Sequence, residues 1–210
     1  TKKDYYLSFL AGLFIGFLLL PILYAAKPEL YEKFSIFIVP FFIIATPFGL
    51  AITHIIGQRI AVIWQIGKFG VTGVLNFCVD LGVLSLLTFI MGKYFEVGSG
   101  DLIFSSVTFF TFYSIYKSIS FITANINSYI WNKYWTFQKE DDKKSEFFQF
   151  FIVSIIGFVI NVFFASIVFK YVSPVAGLNL EQWGLMGAVV GSIAGLIWNF
   201  LGYKFIVFKK

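Results

Sequence analysis

The sequence predicts an all-α, polytopic membrane protein of six transmembrane helices: a four-helix core of two parallel helical-hairpin repeats, preceded by an N-terminal helix pair. Three observations lead there. Of 210 residues, 59% are hydrophobic and 21% aromatic, against 13% charged, more apolar surface than one water-soluble core of this length can use. Six apolar runs, approximately 5–26, 35–57, 67–91, 108–136, 147–170 and 185–207, each reach the roughly 20 residues that a helix needs to cross about 30 Å of hydrocarbon. The last four runs show internal similarity at their ends.

The first run follows Lys2 and Lys3 but is too long for a secretory leader, and Tyr24 before Ala26 is a poor cleavage context, so it is expected to remain as a helix. Pro21, Pro40 and Pro47 lie inside the first two runs, where neighbouring helices can shield freed carbonyls and kinks are expected. RIAVIWQIGK, 59 to 68, carries Trp64 between basic ends and is expected to lie in the interface before the third helix turns inward. Residues 1–64 thus form an N-terminal extension, and 65–210 a four-helix transmembrane domain.

The net charge of +5 does not point to nucleic acid, because the basic residues fall mostly between apolar runs. With the N-terminus inside, Lys2, Lys3, Arg59, Lys68, Lys133, Lys139, Lys143, Lys144, Lys204, Lys209 and Lys210 fall on one side and outnumber Lys27, Lys33, Lys93 and Lys170, with Lys117, on the other, which predicts both termini in the cytoplasm. QKEDDKKSE, 138 to 146, then reads as a short cytoplasmic loop. Cys78 is the only cysteine, which rules out an intrachain disulfide, and His54 is the only histidine, so no usual metal-site constellation exists and no cofactor is expected. No P-loop occurs.

SYIWNKYWTF (128–137) matches NFLGYKFIVF (199–208), and KFGVTGVLNF (68–77) matches the start of QFFIVSIIGFVINV (149–162). Two crossings per unit give the copies the same orientation, a parallel repeat about an axis along the membrane normal. The stretches KFGVTGVLNFCVD, SFITANINSYIWNKYWTF, FFQFFIVSIIGFVIN and GLIWNFLGYKFIVF resemble the GtrA-like family over about residues 66 to 208. That resemblance implies a four-helix membrane protein that moves polyprenyl-phosphate-linked monosaccharides across the bacterial cytoplasmic membrane, or assists the membrane glycosyltransferase that makes them. This chain departs from the pattern in its two additional helices, and in having Tyr203 before Lys204 where the first copy has Asn132 before Lys133.

On a helix, Lys117, Phe121, Asn125, Ser128 and Asn132 share one face. A stripe with a cation at each end is expensive against lipid, so it is expected to face other helices or a wet cavity, either as interhelical glue or as a track for a sugar head group. Thr72, Asn76 and Asp80 supply a facing stripe. Asp80 lies about 18 Å along its helix from Lys68, and Lys117 about 24 Å from Lys133, which predicts an Asp80–Lys117 ion pair. Asn161 in the fifth run and Asn199 in the sixth extend the head-group track. Lys133, Lys204 and Lys68 at the cytoplasmic ends are expected to receive the lipid phosphate, in addition to anchoring the helices. Gly187, Gly191 and Gly195 form a smooth strip for close helix contact, within the monomer or across a homodimer. The tryptophans, mostly near run ends, are expected as interfacial anchors. Asp80 and His54 do not make a catalytic set, so the chain is expected not to be an enzyme. A scaffold for a transferase and a small-solute exporter are the competing readings.

Overall fold

The computed structural model describes residues 2–98, 100–103, 111–139, 145–175, 177 and 180–209. Six helices account for most of them: α1 Lys2–Ala26, α2 Pro28–Gly57, α3 Ala61–Phe95, α4 Phe112–Trp131, α5 Glu146–Tyr171 and α6 Leu180–Gly202. Five are long and apolar enough to span a membrane, the sixth helix doing so from Met186 to Val207. The exception is α4. Its 20 residues are long enough, but the serines and amides of its sequence lower its hydropathy. Residues 140–144 of the charged loop and 108–110 of the fourth run lie outside the described residues.

The chain forms two compact units, Thr1–Gln138 and Lys139–Lys210. In the first, α1 packs on α2 and α3, α2 on α3, and α3 on α4. Only Lys27 separates α1 from α2, and Pro28 starts α2 at a position where its missing N–H would have had no partner. Both helices continue through their internal prolines. Gly12 brings the two together: a Cβ there would collide with the Phe42 carbonyl. Ala11 and Ile15 of α1 meet Leu75 and Cys78 of α3 in the buried core. Elsewhere the large apolar side chains point outward; Phe37 is 64% and Ile44 70% exposed. That inverted distribution fits a helix whose solvent is lipid.

The segment at 59–68, expected at the interface, is continuous with the third helix. From Ala61 it is already the first part of α3, and Trp64 packs its ring against Tyr5 and His54. Two other tryptophans are also internal. The Trp135 indole donates to Asp4, and that of Trp183 to the Val172 carbonyl.

Each hairpin ends in one π-helical turn, Asn132–Thr136 after α4 and Tyr203–Val207 after α6. In both, the residue after the turn donates five residues back at 2.8 Å, Phe137 to Asn132 and Phe208 to Tyr203. These positions coincide in the sequence repeat, so the duplicated feature includes an unusual backbone geometry as well as residue types. In the second unit α5 and α6 approach closely. A Cβ on Gly195 would stand 2.9 Å from the Gly157 carbonyl oxygen, and one on Gly191 would collide with Asn161.

Candidate functional site

Asp80 and Lys117 form the expected ion pair, between α3 and α4. Lys117 takes one carboxylate oxygen, and Ser120 donates to the other at 2.7 Å. Ser120, three residues after Lys117, lies on the same helix face, a signal the sequence reading did not use. Along α3, Asp80 is about 18 Å from Lys68 and about 20 Å from Lys93 at 1.5 Å per residue, so it sits midway between the two basic ends of the span. The side chains are not sealed: 24% of Asp80 and 39% of Lys117 remain exposed.

The opposite case stands at the start of α3. Lys68 donates to Asp4 at 3.4 Å and to the Trp135 carbonyl at 3.0 Å, while the Trp135 indole donates to the same Asp4 oxygen at 3.1 Å. All three residues are buried. Gln65 reaches the Thr136 carbonyl at 3.4 Å, and Thr72 shares a hydrogen bond with the Thr136 hydroxyl. The widened π turn leaves carbonyls out of the regular α-helical ladder, and α3 side chains capture two of them. Lys68, expected at a lipid phosphate, therefore has its charge matched inside the protein. Asp4 was missed because it follows two lysines at the start of the chain and looks like part of a solvated end.

The amides of the α4 stripe bond along their own helix. Asn125 donates to the Phe121 carbonyl at 2.9 Å, and Asn132 to the Ser128 carbonyl and hydroxyl at 2.8 and 3.2 Å, all within their own helix. Their amide N–H groups do not glue helices together. The Asn132 and Asn76 oxygens, the Asn127 amide nitrogen and, in the second unit, the Asn199 oxygen are buried without a hydrogen-bond partner. Each such group costs about 1–3 kcal/mol when left unmade.

Lys133 is buried, donates to the Tyr129 hydroxyl at 3.3 Å and lies over the rings of Tyr129 and Tyr134. Its counterpart Lys204 is half-buried, over Phe200 and Phe205. Within the second hairpin, Asn161 faces Gly191 where the first has Asp80 on Ser120. The second hairpin thus has an amide against a glycine where the first has a carboxylate against a serine, and Asn161 takes the place of Asp80.

One turn beyond Asp80 and Lys117, an apolar cavity of about 880 Å³ opens in the first unit. Leu20 and Tyr24 of α1, Tyr31 of α2, Leu84 and Lys93 of α3 and Tyr113 of α4 contribute to its wall. Its size is in the usual range for a small-ligand pocket, roughly 300–1,000 Å³.

Fold and site define a multi-pass α-helical membrane protein whose core hairpin is duplicated and which holds an ion pair halfway through one span. The chain belongs to the family described as GtrA/DPMS, transmembrane domain, whose model matches residues 68–208. At the level of that family it is a membrane protein of the lipid-linked sugar flippase type. It is also similar to the "Uncharacterized membrane protein YngA" of Bacillus subtilis (strain 168), with 27% identity over 146 residues, covering 68% of this chain and 78% of the relative. No solved structure matches it.

Proposed function

We propose that the protein translocates a polyprenyl-phosphate-linked monosaccharide between the leaflets of the cytoplasmic membrane, without covalent chemistry, with both termini in the cytoplasm. The observation that carries this reading is the partly exposed Asp80–Lys117–Ser120 cluster at mid-span. Charges at that depth are costly unless paired or met by a polar partner, and a functional role is the default for them. The pair lowers the electrostatic penalty of its own members and still offers a cation and carboxylate oxygens to sugar hydroxyls. The unpartnered amide atoms of Asn76 and Asn132 supply further hydrogen-bonding capacity, and Asn125 and Ser128 lie on the stripe between Asn132 and Lys117. Most of the prenyl tail meanwhile stays in lipid, against the outward-facing Phe and Ile side chains. Lys204, half-buried at the cytoplasmic end, is the better placed of the repeat's two lysines to meet the phosphate.

The test is reconstitution of the purified chain in liposomes carrying a labelled prenyl-phosphate hexose in one leaflet. Transport by the protein alone supports the proposal. Transport that appears only when a membrane glycosyltransferase is co-reconstituted assigns the chain an accessory role instead.

A further inference from the structure

We propose that the cavity of the first unit is a binding site for a single-chain isoprenyl phosphate, with the first isoprene units inside it and the phosphate on Lys93. The inference rests on the lipid-linked-sugar reading for the choice of lipid, and on the geometry for the place.

From Leu84, one turn past Asp80, to Lys93, the cavity extends along α3 for about 14 Å at 1.5 Å per residue. It therefore covers much of one leaflet, from near the mid-span charges to the basic end of the helix. Its walls are mainly hydrocarbon and aromatic, contributed by Leu20, Leu84 and the rings of Tyr24 and Tyr31. Such a lining suits a chain rather than a sugar. Ser85 and Thr88 add two hydroxyl side chains to the α3 wall, and the charge stands at the α3 end of the cavity, where Lys93 is exposed and its ammonium lies over the Phe89 and Tyr94 rings at 5.2 and 5.7 Å. No carboxylate pairs with it among the described residues. Tyr24 and Tyr31, both in the lining, meet edge to face at 5.3 Å. A lipid standing upright in a bilayer has this same order, with its charge at the interface and its chain toward the midplane. The lysine and the hydrocarbon wall are stacked accordingly.

Two of the contributing helices, α1 and α2, lie outside the matched family region. The α1 and α2 part of the wall therefore lies outside the matched region, while Lys93 and the mid-span charges lie inside it. This gives the extension a role: it forms the slot that presents the lipid next to the Asp80 cluster.

Binding of radiolabelled farnesyl phosphate to the full chain in phosphatidylcholine nanodiscs tests this. Saturable binding is expected, with farnesol weaker by about tenfold or more because it cannot form the charged hydrogen bond to Lys93. Lys93→Gln should remove that difference, and Leu20→Trp, which fills the floor, should abolish binding while the melting temperature and elution volume stay near wild type. Equal binding of farnesol and farnesyl phosphate by the unmodified chain overturns the assignment without relying on any variant. So does unchanged binding by Leu20→Trp, or equal competition by phosphatidylglycerol, which would mark an unselective lipid cleft. Saturable binding without flipping in the liposome assay would remove the transport reading and leave this site standing. Flipping without such binding would do the reverse.

Discussion

Replacing Asp4 by Asn should destabilise the first unit by about 3 kcal/mol, because it leaves the Lys68 ammonium buried without its carboxylate. The magnitude follows from the site. Breaking a buried pair costs about 3–5 kcal/mol in general, and the lower end applies here because Lys68 keeps the Trp135 carbonyl at 3.0 Å. An Asn oxygen can also still accept from the Trp135 indole. Lys68→Met should cost at least as much, since it takes the ammonium away from a buried carboxyl group. The double variant removes both charges and should lose less than the sum of the singles, with a coupling of about 2–3 kcal/mol. Unfolding of the purified protein in mixed micelles, titrated with dodecyl sulfate and followed by far-UV circular dichroism, gives all corners of the cycle. Single losses that add to within about 0.5 kcal/mol would refute the reasoning, since two groups that do not interact behave that way.

Gly191→Leu should separate α5 from α6, because the Cβ position already collides with Asn161; a loss of about 1–3 kcal/mol is expected in the same titration, and a neutral result would contradict the observed helix approach. Ser154 and Tyr203 share a hydrogen bond at 2.8 Å, so Ser154→Ala alone should cost about 1 kcal/mol and the Ser154→Ala, Tyr203→Phe pair no more than that single change, as read from the dodecyl sulfate midpoints. The sole cysteine, Cys78, is 1% exposed and should resist maleimide in intact cells, which leaves Gln138→Cys as a clean reporter. It should label only after the membrane is opened, and labelling from outside would reverse the proposed orientation.

Much of the fold was readable because lipid imposes a simple rule, and five spans emerge from hydropathy alone. The Asp80–Lys117 pair was legible too, since depth along two helices is arithmetic at a fixed rise per residue. What escaped was whatever depended on local backbone geometry or on contacts distant in sequence. Asn125 and Asn132 look like interhelical groups by periodicity, yet an amide four residues after a carbonyl can bond back along its own helix, and periodicity does not distinguish the two outcomes. The π turns add one residue to a hydrogen-bonded ring without changing composition. Asp4 finds Lys68 and Trp135 only once α1 lies against α3, and nothing near it in the chain marks it as buried. The tryptophans near span ends matched the interfacial pattern, but Trp135, Trp183 and Trp198 have their indole N–H groups bonded within the protein.

The most direct measurement on the mid-span cluster is the flipping rate of a labelled prenyl-phosphate hexose in liposomes for Asp80→Asn, Lys117→Gln and the exchanged pair Asp80→Lys, Lys117→Asp. Each single change should reduce the rate by at least about tenfold, as expected for an unpaired intramembrane charge or a lost head-group contact. The exchange should restore a measurable part of it. Wild-type rates in both single variants, with the protein folded, would contradict the account.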